Sequence, residues 1–107
     1  MRNDFVITKI SNVIPYEAQA SDKITAFHNN LSRSELIYHF SGKSLVCFND
    51  KTALCEENTI RFLPKGETRN YTVTRMDNIK CIDIFFDTDT RISDEMFTIK
   101  LNNDVTL

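Results

Sequence analysis

Short apolar and aromatic runs recur along the chain, and polar clusters typical of turns separate them. Ser-Gly at 41–42, Asn-Asp at 49–50 and Pro-Lys-Gly at 64–66 are such breaks. The runs predict nine strands, over residues 5–10, 23–27, 35–40, 44–48, 52–54, 59–63, 69–75, 79–86 and 95–101. Many short strands at this spacing indicate a sandwich, a barrel or a jelly roll with little or no helix.

Alternation within the strand over 35–40 leaves two arrangements open. One face carries Glu35, Ile37 and His39, and the other carries only apolar or aromatic side chains, those of Leu36, Tyr38 and Phe40. Either the apolar face is the core and the carboxylate and imidazole point to water, or Glu35 and His39 line an interior cavity and the apolar face packs on something else. Periodicity alone favours the first arrangement, because charged groups are rarely buried without partners.

Composition supports a single β-rich domain. Ile and Thr number 11 each and Phe 8 in 107 residues, whereas Ala occurs four times. Branched and aromatic side chains pack well on a pleated sheet and lose rotamer freedom in a helix. A chain of this length buries enough surface for one hydrophobic core.

Charge and cysteine usage narrow the class of protein. The net charge of −2, with 13 basic residues scattered along the chain, gives no electrostatic footprint for DNA. No apolar run has the length of a membrane span or a signal peptide, which predicts a cytoplasmic protein that does not bind membranes. Cys47, Cys55 and Cys81 form no Cys-x-x-Cys pair, so we expect reduced thiols without catalytic chemistry.

An ordered set of motifs lies between residues 33 and 86. It comprises Glu-Leu-Ile-Tyr at 35–38 before Ser-Gly42, Leu-Pro64-x-Gly66 followed by Tyr71, and Ile-Asp-Ile-Phe-Phe at 82–86. The order and spacing resemble the cupin domain at the N-terminus of AraC-type transcription regulators, over about half of the chain. The resemblance implies an all-β, cupin-like double-stranded β-helix, that is, a jelly-roll barrel.

The resemblance also implies a ligand site inside the barrel. Its members would be His28, Glu35, His39, Arg69 and Tyr71, with Glu35 and Arg69 facing the cavity from neighbouring strands. A surface position for either histidine and a simple core position for Tyr71 are the alternatives. For Asp83, between apolar neighbours, we expect a solvent-facing position rather than a place in the cavity, and the position of Arg61 stays open between the same two readings.

Cupins often hold a divalent metal with three histidines and a glutamate. The positions that match this pattern are His28, Asn30, Glu35 and Arg69, so two of four ligands are missing. Asparagine is a poor ligand for nitrogen-preferring metals, and a guanidinium repels cations. We therefore expect no metal, no cofactor and no catalytic residues.

The leading hypothesis is the effector-sensing and dimerisation domain of an AraC-type regulator. Residues 1–20 would form an N-terminal arm or strands and residues 21–101 the barrel. A small polar effector, such as a sugar or sugar derivative, would bind inside, and Leu36, Tyr38 and Phe40 would pack on the N-terminal strands, on a second copy or on linker helices. DNA would be bound only through a C-terminal domain absent from this chain. The alternatives are a free-standing cupin that modifies sugars with a metal, and a carbohydrate-binding module.

Overall fold

The computed structural model describes residues 5–20, 24–27, 30–31, 33–67 and 71–101. These residues form strands and connecting turns only. The strands are β1 (Ile7–Ala18), β2 (Ile24–Phe27), β3 (Asn30–Leu31), β4 (Ser34–Ser41), β5 (Ser44–Phe48), β6 (Lys51–Cys55), β7 (Thr59–Leu63), β8 (Gly66–Glu67), β9 (Tyr71–Arg75), β10 (Ile79–Thr88) and β11 (Phe97–Lys100).

Two larger sheets face each other. The first has five strands in the order β1-β10-β4-β7-β11, and the second has four in the order β2-β9-β5-β6; β3 and β8 form a separate pair. Every pairing is antiparallel. The core lies between the sheets and combines side chains of both, among them Ile37, Leu63 and Cys81 from the five-stranded sheet and Val46, Phe48 and Val73 from the four-stranded one. This all-β architecture is the jelly roll that the sequence predicts.

Turn chemistry explains where strands end. Asn49 and Asp50 both have positive φ angles, 49° and 66°, and connect β5 to β6 as a two-residue hairpin. Two successive positive φ values match the twist of the flanking strands, and Asn and Asp tolerate them better than other side chains do. Gly42, directly after β4, has a φ of 85°, a left-handed conformation that glycine adopts without steric cost.

Each predicted strand corresponds to a strand in the structure, with one large difference at the N-terminal end. β1 continues to Ala18, eight residues beyond the predicted end at Ile10, and pairs with β10 along its length. Most of its side chains are exposed, so the apolar periodicity that marks a strand in sequence is weak there. Backbone pairing with β10, and not burial, keeps this segment extended.

Candidate ligand-binding site

Strand register places polar side chains on the inner face of the five-stranded sheet. Ile37 on β4 lies opposite Asp83 on β10 and Arg61 on β7, so these three residues form one row across the sheet. Directly paired residues share a face, and the faces alternate along each strand. Glu35 and His39 therefore point to the same side as Ile37. The exposed fractions agree with an inward position, at 8% for Glu35, 0% for His39 and 3% for Arg61.

The arrangement with Glu35 and His39 inside is thus the one adopted. The arrangement that periodicity alone favours, in which these two residues point to water, is wrong. β7 and β10 supply the partners that a buried carboxyl group needs. Asp83 is also inside, which corrects its predicted solvent-facing position. β10 carries apolar residues on both faces, so its own alternation cannot tell which side Asp83 occupies; only the register against β4 decides it.

Glu35 and Asp83 are diagonal neighbours on the inner face of the β4–β10 pairing, so their carboxyl groups can share one hydrogen bond. Burial raises the pKa of Glu35 to about 8, and the hydrogen bond to Asp83 adds to this effect. Burial also raises the pKa of Asp83, against the opposing effects of the hydrogen bond from Glu35 and the charge of Arg61. Near neutral pH, Glu35 is therefore the protonated partner, and it donates to the carboxylate of Asp83.

Arg61 is the buried cation of the cluster. Its guanidinium carbon lies 5.8 Å from the centre of the Tyr71 ring, over the ring face, a cation–π geometry. Burial raises the pKa of Tyr71 to about 12, so its hydroxyl is neutral. Tyr71 itself is buried and packs edge-on against Phe48 at 6.0 Å.

His39 contributes a neutral imidazole. Burial, reinforced by the charge of Arg61, lowers its pKa to about 4. Among the described residues, neither ring nitrogen has a hydrogen-bond partner, and the same holds for Nε and Nη1 of Arg61 and for Oδ1 of Asp83. Buried polar atoms are normally satisfied by protein, water or a ligand, so these atoms are available to hydrogen-bond a polar molecule.

Two buried thiols border the cluster. Cys55 lies close to Arg61, and Cys81 lies close to Tyr16 on β1. Burial raises the pKa of both thiols, that of Cys81 to about 11. Both thiols are protonated near neutral pH, and a protonated thiol is a poor nucleophile. The contact between Cys55 and Arg61 joins the two sheets and has no signature in the sequence.

His28 and Arg69 lie outside the described residues, so their predicted place in the site stays a prediction. Of the five predicted ligand-binding residues, the structure brings Glu35, His39 and Tyr71 to the interior. It adds Arg61 and Asp83. The signal for Arg61 is its position between Ile60 and Phe62 in an otherwise apolar strand.

The described residues do not fit a divalent cation. Within that part of the chain, no three His, Cys, Asp or Glu side chains converge as a metal site would require. The buried guanidinium of Arg61 and the protonated carboxyl of Glu35 also oppose the binding of a cation at this point of the barrel.

The outer face of the five-stranded sheet is apolar. A groove of about 440 Å³ runs across it, lined by Phe5, Ile7, Ile10, Leu36, Ile60, Phe62, Ile84, Phe86, Ile92, Phe97 and Ile99. The remaining predicted contact residues, Tyr38 and Phe40, lie on the same strand face, and their rings meet edge-on at 4.8 Å. Phe40 is 51% exposed. Among the described residues, no helix has the length and apolar character needed to cross a membrane.

Comparison with solved structures identifies the fold. ToxT from Vibrio cholerae O395 aligns with a TM-score of 0.63 at 13% identity, over 96% of this chain and 42% of its own. A crystal structure of ToxT from strain SCE256 with a bound unsaturated fatty acid aligns with a TM-score of 0.61 at 8% identity, over 94% and 42%. The EutQ protein of Clostridium difficile aligns with a TM-score of 0.55 at 18% identity, over 73% and 57%.

These similarities show the fold: the chain forms a cupin-like β-barrel, which it shares with ToxT and EutQ. The chain spans less than half of the ToxT chains and somewhat more than half of EutQ. Neither a protein-family model nor a curated protein sequence matches it.

Proposed function

We propose that this barrel is the effector-binding domain of a transcription regulator of the AraC type and that it catalyses no reaction. A small polar molecule binds between the sheets and contacts Arg61, Asp83 and His39. The observation that carries the proposal is the set of buried donors and acceptors on these three residues that have no partner among the described residues. A polar cluster with only part of its hydrogen bonds formed is less stable than an apolar core. A bound ligand would supply the missing hydrogen bonds.

The regulatory part of the proposal follows from differential affinity. A molecule that binds one arrangement of the barrel and its neighbours better than another shifts the population toward that arrangement. The apolar outer face, with Leu36, Tyr38 and Phe40, is where a second copy would pack, and DNA would be bound by a C-terminal domain. ToxT, which shares the fold, binds an unsaturated fatty acid. Sugars and carboxylates are both suitable first candidates here.

A thermal-shift screen against sugars, sugar phosphates and carboxylates tests the proposal. A ligand at one hundred times its Kd stabilises the folded state by about 2.7 kcal/mol, which raises Tm by several degrees. Arg61→Met is expected to abolish the shift. Arg91→Met is the matched control, because Arg91 is exposed and pairs with Asp94 at 2.5 Å on the surface. Equal shifts in both variants would place the ligand elsewhere, and the absence of any shift across the screen would refute an effector-binding role.

A further inference from the structure

Within the part of the chain that the structure describes, the interior of the barrel carries a small set of ionisable groups. The groups that surround the Glu35–Asp83 pair come from six strands: Tyr16 on β1, His39 on β4, Cys55 on β6, Arg61 on β7, Tyr71 on β9 and Cys81 on β10. Burial raises the pKa values of the phenols and thiols and lowers the pKa of the imidazole, so all of these groups are neutral near pH 7. Among these described groups, only Arg61 and the carboxyl pair contribute charge.

The carboxyl pair holds one proton. A hydrogen bond between two carboxyl groups requires a proton on one of them, and two carboxylates this close repel each other. The pair therefore carries a single negative charge, which balances the single positive charge of Arg61. Together, the described groups around the pair are electrically neutral, the state that burial favours.

The neutral charge of this cluster restricts which ligands can bind to it. The unpartnered atoms on the permanently charged group, Nε and Nη1 of Arg61, are donors and require an acceptor. Carboxylate oxygens are the strongest acceptors for a guanidinium. A bound carboxylate adds one negative charge to a neutral, buried cluster, and the ionised member of the pair has room for one proton that cancels it.

We propose that the barrel binds a monoanionic carboxylate at Arg61 and that binding is coupled to the uptake of one proton by the Glu35–Asp83 pair. The inference rests on the proposed function and deepens it. No bond other than the bond to the proton is made or broken, and the proton comes from solvent or buffer. A phosphate dianion would need two protons where the pair accepts one, and a cationic ligand would face Arg61 directly.

Matched probes separate a carboxylate from a neutral ligand of the same shape. Gluconate and sorbitol are polyols that differ in one terminal group, a carboxylate against a hydroxymethyl, and hexanoate and hexanamide form an apolar pair. Calorimetric titration of the full chain in buffers of different ionisation enthalpy counts the protons taken up. We expect binding of at least one carboxylate with close to one proton per ligand at pH 7, a Kd that rises up to tenfold per pH unit, and weaker binding of its neutral counterpart.

A double variant, Glu35→Gln with Asp83→Asn, preserves shape and removes the proton acceptor. It is expected to bind the same carboxylate with no proton uptake and with a Kd that does not depend on pH. The surface double variant Glu17→Gln with Asp94→Asn should keep the wild-type proton count, since both residues are exposed. The number of protons taken up by the wild-type chain can be measured even if a variant fails to fold.

Two results would overturn the inference. One is carboxylate binding without proton uptake in the wild-type chain. The other is binding of sorbitol or hexanamide without binding of the matched carboxylate. Either result leaves the effector-binding proposal standing. If no probe binds here and the broader screen of sugars and sugar phosphates also yields nothing, both proposals fail together.

Discussion

At the scale of single residues, Glu35 and His39 occupy one strand face two positions from Ile37, yet burial moves their pKa values in opposite directions. Each change favours the neutral form. The carboxyl group keeps its proton to a higher pH than usual, and the imidazole loses its proton at a lower pH than usual. The two residues therefore limit the stability of the domain from opposite ends of the pH scale.

Glu35 makes the folded state lose stability as pH rises. The unfolded chain releases the proton near the ordinary pKa of 4.5, whereas the folded chain holds it to about 8, so folding binds a proton in between. Stability conferred by the buried acid is complete below 4.5 and is lost as pH rises toward 8. Glu35→Gln should flatten this decline, which is on the order of 3 kcal/mol, in urea denaturation followed from pH 4.5 to 8. The exposed Glu17→Gln is the control, and an unchanged slope in Glu35→Gln would contradict the protonated, buried state.

His39 acts at the acid end. The unfolded chain takes up a proton near 6.5, and the folded chain resists it to about 4, so stability falls as pH drops through this interval. His39→Gln should remove a loss of about 3 kcal/mol between pH 6.5 and 4. Direct titration of the imidazole by NMR provides a second measurement, and a midpoint near 6.5 would show that the ring reaches solvent.

At the scale of elements, strands are predictable from local sequence, whereas the faces of strands are not. In β4, alternation separates Glu35 and His39 from Leu36 and Tyr38, but it cannot tell which set faces the core. That choice depends on Asp83 and Arg61, which lie 48 and 26 residues away from Glu35 along the chain and reach it only through the register of β10 and β7. The two-residue pairing of β3 with β8 is likewise too short to leave a periodic signal.

The turn after β4 gives an element-scale prediction. A Cβ atom on Gly42 would lie 2.3 Å from the backbone oxygen of Asn78, and the φ of 85° is unfavourable for any side chain. Gly42→Ala should cost about 2–4 kcal/mol in the free energy of unfolding, because a backbone atom has to move. Gly66→Ala, with a φ of 119° and its nearest neighbour at 3.9 Å, tests the backbone conformation without the clash and should cost less. Equal losses in chemical denaturation would mean that the contact with Asn78 is relieved without cost.

At the scale of the whole molecule, the barrel holds a polar cluster within its apolar core and presents an apolar outer face on the five-stranded sheet. Soluble domains rarely leave a continuous apolar face of this kind uncovered, so we expect it to be covered in solution. A second copy of the chain can cover this face by forming a symmetric dimer. Sedimentation should then give twice the chain mass of 12.4 kDa.

Ile99→Asp tests this association. Ile99 lines the groove and is 44% exposed, so an aspartate there should produce monomers without unfolding the barrel. Leu45→Asp is the matched control, since Leu45 is similarly exposed on the other sheet. A wild-type chain that sediments as a monomer at micromolar concentration would remove dimerisation from the proposed function.

The pairing of β1 with β10 has a consequence during synthesis. β1 leaves the ribosome first, but its partner strand begins at Ile79, some sixty residues later. At translation rates of about 5–20 residues per second, the segment that carries Ile7, Ile10, Val13 and Ile14 waits for seconds with its backbone unpaired. Unpaired apolar strands associate readily with one another. The yield of native protein in cells should therefore depend on keeping β1 apart from the β1 segments of neighbouring nascent chains. This separation has to last until β10 has left the ribosome.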